Sequence, residues 1–402
     1  MKDCLVCESQ NVQKIIDLGM HSFADTFISE SQFGDSEPIF PLVCQMCDNC
    51  GHVQLAYETK ADERYNLYDY SYTSSNSKFS RDHWDSFERE VSDRVKLEAG
   101  SKVLEIGSND GYLTERFKMA GSEVLGVDPS HYMVKLAKER GIETEACLFT
   151  EENSNEILKK FEKVDLVVAN NVFNHSDDPL DFSKGVENVL KDDGFFVFEV
   201  PYWLYTVNTQ RFDQIYHEHV SYFTIRSAQK LLSRAGLKIA FAKVVDYHGG
   251  SLRVFAIKEG SSLAVDKQSV DSLLLSEEDL ELFDSETYDD YMSDLLLKRG
   301  DFLKNILEIK QTGVPIVGVG AAAKANTFLN FYRLDKTLLD YVTDASEFKQ
   351  GKYTPLTRIP ITGDEIFAQY DKVYALILSW NISGILKEKL REVNGKIKFL
   401  HP

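Results

Sequence analysis

The run Val103-Leu104-Glu105-Ile106-Gly107-Ser108-Asn109-Asp110-Gly111 constrains this chain more than any other stretch. An apolar strand enters a glycine-bearing turn, a helical stretch follows, and a second apolar run ends in Val127-Asp128. That order cradles a nucleoside: glycines let the backbone approach the ligand, and an acid about twenty residues beyond the turn accepts the hydroxyls of a ribose. A dinucleotide fingerprint would need glycines where Asn109 and Tyr112 stand. What remains is Glu-x-Gly-x-x-x-Gly with a distal Asp.

Further short apolar runs, Leu166–Ala169 and Phe195–Val200, alternate with helical stretches and predict a parallel sheet. Ligands bind such sheets at the carboxyl ends of the strands. Gly107 to Gly111, Asp128, Asn170 to His175, and Glu199 to Tyr202 therefore converge on one edge. Asn170 and His175 are polar groups where catalysis belongs, although His175 alone could cap the next helix. From Lys78 to Leu97, the spacing of Phe79, Trp84, Phe87 and Val91 predicts a helix laid on this sheet.

The chain's 402 residues suggest two to three domains. A net charge of -19 and a pI near 5.0 argue against a nucleic-acid partner, which clustered Lys and Arg would hold. No apolar run is long enough for a membrane span and Met1-Lys2-Asp3-Cys4 has no signal-peptide core, so the expected location is cytoplasmic.

Cysteine usage agrees with a reducing compartment. Cys4, Cys7, Cys44, Cys47 and Cys50 all precede Gly51, and only Cys147 lies elsewhere. Two Cys-x-x-Cys pairs read as a structural zinc site with four thiolates. The second pair is Cys44/Cys47 or Cys47/Cys50. Gly51 directly after Cys50 favours Cys4, Cys7, Cys47 and Cys50 as ligands, leaving Cys44 a buried thiol. His52 could replace one thiolate, but a hydrogen-bonded or surface role fits it better.

Between this module and the glycine turn, Tyr65-Asn66-Leu67-Tyr68-Asp69-Tyr70-Ser71-Tyr72-Thr73-Ser74-Ser75 is rich in rings with polar tips. Such an arm either lines a ligand pocket or covers apolar surface. Downstream, Tyr216-His217-Glu218-His219 offers a base, a carboxylate to orient it and a phenol to donate to an oxyanion, with Tyr222 close behind. A metal reading of His217 and His219 would need a shared face, which only a strand provides. Tyr247-His248-Gly249-Gly250-Ser251-Leu252-Arg253 adds a further His and an Arg.

The C-terminal third begins with an acidic, Leu-rich helical stretch from Val265 to Lys310. Val314 to Gly320 then reads as strand into glycine turn, followed by a helix from Ala321 to Tyr332 and a strand Leu338–Val342 with Asp344 at its tip. This is a second nucleotide-binding pattern.

Taken in order, these motifs resemble the sugar C-methyltransferases that methylate a ring carbon of a nucleotide-linked 4-keto-deoxy sugar, the mycarose-type and kijanose-type 3-C-methyltransferases. The resemblance rests on Cys47 to Leu55, Tyr70 to Ser75, the class I S-adenosylmethionine motif Glu105 to Gly111, Asn171 to His175, the Tyr-His-Glu-His segment, His248 to Ser251, and Gly318 to Lys324. It implies an α/β fold of three parts: a zinc-binding and arm module (1–75), an S-adenosylmethionine-binding Rossmann-like domain (76–258), and a C-terminal Rossmann-like domain holding the nucleotide sugar (259–402). It implies S-adenosylmethionine and structural zinc as cofactors, with a nucleotide sugar as partner.

By the same resemblance His219 is the base, with Glu218, Tyr216 and His175 lining the site. Expected cofactor contacts are Tyr70, Tyr72, Glu105, Gly107, Asn109, Gly111, Asp128 and Asn170. Expected substrate contacts are Glu199, Tyr202, Tyr222, His248, Arg253, Lys324 and Asn326, with Lys324 and Asn326 meeting phosphates and Trp380-Asn381 facing the same cleft. The chain departs from the family at His21-Ser22-Phe23-Ala24-Asp25, where a Pro and an Asn are usual, and Cys44 is additional. An O-methyltransferase for a small-molecule hydroxyl is the alternative enzyme, and a non-catalytic adaptor the alternative class.

Overall fold

The computed structural model describes residues 2–59, 64, 73–75 and 77–401. The N-terminal module supplies β1 (Val12–Ser22), β2 (Ile39–Cys47) and β3 (Val53–Leu55). There follow β4 (Lys102–Ile106), β5 (Glu123–Val127), β6 (Thr144–Glu145), β7 (Val164–Asn170), β8 (Leu190–Pro201), β9 (Ser221–Tyr222), β10 (Leu237–Val245) and β11 (Ser251–Lys258). The C-terminal part holds β12 (Ile316–Val319), β13 (Tyr341–Thr343), β14 (Ile361–Thr362), β15 (Val373–Ile377) and β16 (Ile397–Leu400).

The central sheet has seven strands in the order β10-β11-β8-β7-β4-β5-β6. Strands β4 to β8 run parallel, as the apolar runs of β4, β5, β7 and β8 predict, while β11 pairs antiparallel with both β8 and β10. This is the class I methyltransferase arrangement. The parallel pairing expected of β4, β5, β7 and β8 is thus present, and β10 and β11 are strands the sequence reading did not include. The segment around Gly249 and Gly250 (φ +83° and +115°) is the turn of a hairpin, which adds two antiparallel strands at the edge. Its partial polarity hid the period of two.

The helix Lys78–Val95 starts where Ser77 accepts from the Ser80 amide and stops at Lys96 in the left-handed region. It buries Trp84, Phe87 and Val91 against the sheet, as its spacing dictates. Burying such rings stabilises by about 1.5–3 kcal/mol each. The acidic stretch forms two helices, Lys267–Asp279 and Ser285–Gln311, broken where Glu281 takes φ +52°. No helix among the described residues is long and apolar enough to cross a membrane.

The C-terminal sheet is five parallel strands, β14-β13-β12-β15-β16. It repeats the first glycine turn in detail. Asp344 accepts from the amides of Ala321 (2.8 Å) and Ser346 (2.9 Å), as Asp128 accepts from Asn109 and Ser130 (2.9 Å each). The expected strand Leu338–Val342 is shorter and later, because Leu338 and Leu339 belong to the turn that precedes β13.

The three parts are stitched together at the site. β9, which directly follows the Tyr-His-Glu-His segment, pairs with β3 and so completes the sheet of the N-terminal module. His52 fixes the pairing through a 3.2 Å contact between its Nε2 and Ser221 Oγ. Asn326 Nδ2 donates to the Ala24 carbonyl at 2.5 Å, tying the C-terminal part to the same module.

Candidate functional site

In the N-terminal module the Sγ atoms of Cys4, Cys7, Cys47 and Cys50 all lie within 4.8 Å of one another. Cys4 and Cys50, like Cys7 and Cys47, approach to 3.5 Å. Four thiolates at about 2.3 Å from one zinc stand roughly 3.8 Å apart, so this set fits the ion. Gly51, at φ +68°, closes the turn by donating to the Cys47 carbonyl, and a Cβ there would lie 2.4 Å from the Phe283 ring. Cys44 stands apart as the expected buried thiol, pushed far up by burial. The two open pairings thus resolve to Cys47/Cys50.

The cofactor loop leaves β4 under strain that its residues tolerate. Gly107 (φ +71°) and Ser108 both donate to the Val127 carbonyl, at 2.7 and 3.1 Å. A Cβ on Gly107 would lie 2.7 Å from Val172 Cγ2. Asn109 (φ +52°) passes its amide to Asp128, and Gly111 (φ +77°) opens the helix Tyr112–Met119. Each Asp128 oxygen accepts one amide and so keeps lone-pair capacity for a ribose hydroxyl. Asn170, at the end of β7, has both amide atoms buried and without a partner among the described residues. Unpaired buried amides are costly, so this edge fits a polar ligand.

Two expectations are refined here. Glu105 lies beneath the loop and takes the Thr114 hydroxyl; burial pushes it up to about 8, helped by the nearby Asp110 and Asp128. It shapes the loop from below. Tyr70 and Tyr72 lie outside the described residues. What sequence reading missed is a latch at Asp110. Asp110 receives the hydroxyls of Ser74 (2.7 Å) and Ser75, together with Arg140 (3.1 Å), while the Asn109 side chain accepts the Ser74 amide. Truncating Asp128 to Ala should weaken S-adenosylmethionine binding by about 1.5–3 kcal/mol, the range for hydrogen bonds to a charged group. Titration calorimetry checks this, and unchanged affinity would place the ribose elsewhere.

The Tyr-His-Glu-His segment follows a short 3-10 turn, Phe212–Gln214. His219 is buried, and its Nδ1 lies 2.8 Å from the Gln214 carbonyl. A carbonyl only accepts, so Nδ1 carries the proton and Nε2 keeps its lone pair. Burial holds His219 well below its usual 6.5, with the charges of His175, Lys324 and His248 adding to the effect. The Tyr216 ring centre is 3.9 Å away and that of His175 5.1 Å. His175 is lowered to about 3 by burial and by Arg64. His248 is lowered by burial and by Lys324, and its backbone carbonyl receives Gln214 Nε2 at 2.8 Å.

Glu218 does not orient His219. The Gln214 carbonyl does, and Glu218 instead lies near Asp25, pushed up to about 7 by burial and then by that neighbouring acid. No side-chain signal marked Gln214, because its contribution is a main-chain oxygen. His217 packs between Phe23 and Phe40, ring centres 5.6 and 5.8 Å away. It stands apart from the His219 cluster, and among the described residues the four cysteines are the one group able to hold a metal.

Several expected substrate contacts serve the scaffold. Glu199 is fully buried and gives one oxygen to His83 (2.8 Å) and the other to Arg253 (2.7 Å), whose guanidinium also meets Glu90. Tyr202 donates to Glu277 at 2.7 Å, inside the protein. The Asn326 amide nitrogen is committed to Ala24. Their polarity satisfies buried partners, which sequence alone does not distinguish from ligand binding. Tyr222 backs the His219 ring at 6.4 Å. Trp380 is held among charged groups: its Nε1 donates to Asp213, Arg211 lies 3.9 Å above its ring, and Lys324 Nζ lies 5.4 Å from the ring centre.

Known proteins resemble this chain along nearly all of its length. Family models described as "Putative zinc binding domain", "Methyltransferase domain" and "C-methyltransferase C-terminal domain" match residues 4–65, 81–240 and 246–402. The C-methyltransferase NovU of Streptomyces niveus is 30% identical over 390 residues, covering 97% of this chain and 92% of NovU. A ubiquinone biosynthesis O-methyltransferase of Haemophilus ducreyi is 31% identical over 101 residues, 24% of this chain and 43% of that protein. The magnesium protoporphyrin IX methyltransferase structure from Synechocystis PCC 6803 with bound S-adenosylmethionine shares 15% identity, covering 44% of this chain and 79% of that one at a TM-score of 0.34. The fold rests on the strand order rather than on that partial likeness.

Proposed function

We propose, from the premise that the chain belongs to the S-adenosylmethionine-dependent C-methyltransferases related to NovU, that its acceptor is a ring carbon, C-3 favoured, of a nucleotide-linked 4-keto-deoxy sugar. The observation that carries this reading is His219, whose Nδ1 proton is pinned to the Gln214 carbonyl while Nε2 keeps its lone pair beside Tyr216. Methylating carbon requires that carbon to become nucleophilic. A carbon beside a ketone does so by losing its proton. The C-terminal sheet, with its Gly320 turn and Asp344, supports a nucleotide as the other half of the substrate.

When bound, S-adenosylmethionine supplies the electrophilic methyl group, held by Gly107, Asn109, Gly111, Asp128 and Asn170. His219 Nε2 takes the proton from the carbon next to the ketone. Tyr216 or His175 donates to the oxygen on which negative charge develops. Holding donor and acceptor in line supplies much of the rate. Zinc at the four cysteines keeps β1 to β3 in shape, and β3 carries β9 and with it the base segment.

Incubation with uridine and thymidine diphosphate 4-keto-deoxyhexoses should give a product whose new methyl carbon is bonded to a ring carbon. Carbon–proton correlation NMR reads this directly. A methyl on oxygen would replace the reading with that of a sugar O-methyltransferase.

A further inference from the structure

Lys324 stands at the start of the helix Ala323–Phe331 in the C-terminal part, where a phosphate contact was expected. Its neighbours belong instead to the segment that carries His219. Its ammonium lies 5.4 Å from the centre of the Trp380 ring, and Trp380 is fixed by its bond to Asp213. The far edge of that indole presses on Gly249, where a Cβ would fall 2.4 Å from Cη2; Gly249 follows His248 directly. Asp213 in turn precedes Gln214, whose carbonyl holds His219.

The ammonium thus sits by the ring that Asp213 holds, and Asp213 is one residue from the carbonyl that pins His219. Its charge is felt at both His219 and His248, and burial lowers Lys324 itself to about 8 although Asp213 opposes the shift. Among the described residues it makes no ion pair and no hydrogen bond, whereas the cation beside the C-terminal glycine turn, Lys349, donates to the Ala321 carbonyl at 2.7 Å. A half-buried cation without an acceptor calls for an anion.

We propose that Lys324 is a catalytic residue of the C-methylation, holding the substrate's carbonyl oxygen as negative charge develops on it. This rests on the keto-sugar reading above. As the C–H bond breaks, its electron pair forms the C=C bond, the carbonyl π pair moves onto oxygen, and the proton passes to His219 Nε2. The enolate carbon then forms its bond to the methyl group, and the pair of the broken S–CH₃ bond stays on sulfur. A fixed cation stabilises that oxygen more than a neutral phenol does in a site shielded from water. Lys324 also disfavours a proton on His219, so its net gain arises only because the enolate forms at the same moment.

The test compares wild type with Lys324→Met and Lys324→Arg, using the same uridine and thymidine diphosphate 4-keto-deoxyhexoses. Turnover is measured with S-adenosylmethionine, and deuterium uptake from heavy water with S-adenosylhomocysteine in its place. Lys324→Met should lower kcat and exchange together by about 10²–10³-fold, the range for losing one oxyanion donor. KM for the sugar nucleotide should stay within about threefold, and Lys324→Arg should recover part of the loss. Thermal unfolding and S-adenosylhomocysteine calorimetry should match wild type in both variants. If Lys324→Met raises KM tenfold or more while kcat and exchange persist, the ammonium serves the diphosphate and the proposal is overturned. Wild-type enzyme that methylates without exchanging deuterium would sink the enolate reading itself, a different failure from a variant that exchanges normally.

Discussion

His219→Asn should abolish both deuterium exchange beside the ketone and methyl transfer, while S-adenosylhomocysteine binding is unchanged. The structure makes this a clean substitution. The Asn amide can still donate toward the Gln214 carbonyl that now receives Nδ1, so the turn keeps its bond and loses only Nε2. Losing a general base slows turnover by about 10²–10⁴-fold. Heavy-water exchange followed by mass spectrometry, beside calorimetry for the cofactor product, separates lost chemistry from lost binding. Parent-level exchange in the variant would make His219 structural. The search would then move to His175, 5.1 Å away, or to His248, which shares the Lys324 field.

The second large effect concerns the thiolates. Purified protein should carry about one zinc per chain, and Cys47→Ser with Cys50→Ser should carry none and lose the N-terminal module. Structural zinc contributes an apparent 10–16 kcal/mol, roughly, in small zinc modules, more than the module's core can replace. Activity should go with it, because β3 pairs with β9 immediately after His219. Cys44→Ser is the control. Its buried thiol lies outside the four-sulfur group, so zinc content should persist there. Elemental analysis decides the matter; zinc retained in the double variant, or absent from wild type, removes the assignment.

Much of this site was legible in the chain because its signals are local. Gly107, Asn109 and Gly111 announce a turn needing positive φ, and each has it. The Cys-x-x-Cys pairs announce their own cluster, with Gly51 deciding between two pairings on the right side. The strands β4, β5, β7 and β8 follow from apolar runs with no tertiary input. By contrast, β10 and β11 were hidden, since their faces are set by neighbours rather than by a regular period.

Polar residues were the least legible, because a buried ion pair and a ligand contact use the same side chains. Glu199 and Arg253 were expected at the substrate and are spent on each other, with His83 and Glu90 completing the network. Glu218 sits one residue from His219 yet lies by Asp25, while a main-chain oxygen five residues upstream of His219 orients its ring.

The sequence by itself determined the glycine turn with its distal Asp128 and the four clustered thiolates, because spacing along one strand or turn dictates which groups can meet. Only the tertiary structure decided which polar groups remain for chemistry. That choice depends on pairings across more than a hundred residues, such as Lys324 beside the His219 cleft and β9 against β3, where burial and the competition of partners for each lone pair settle the outcome.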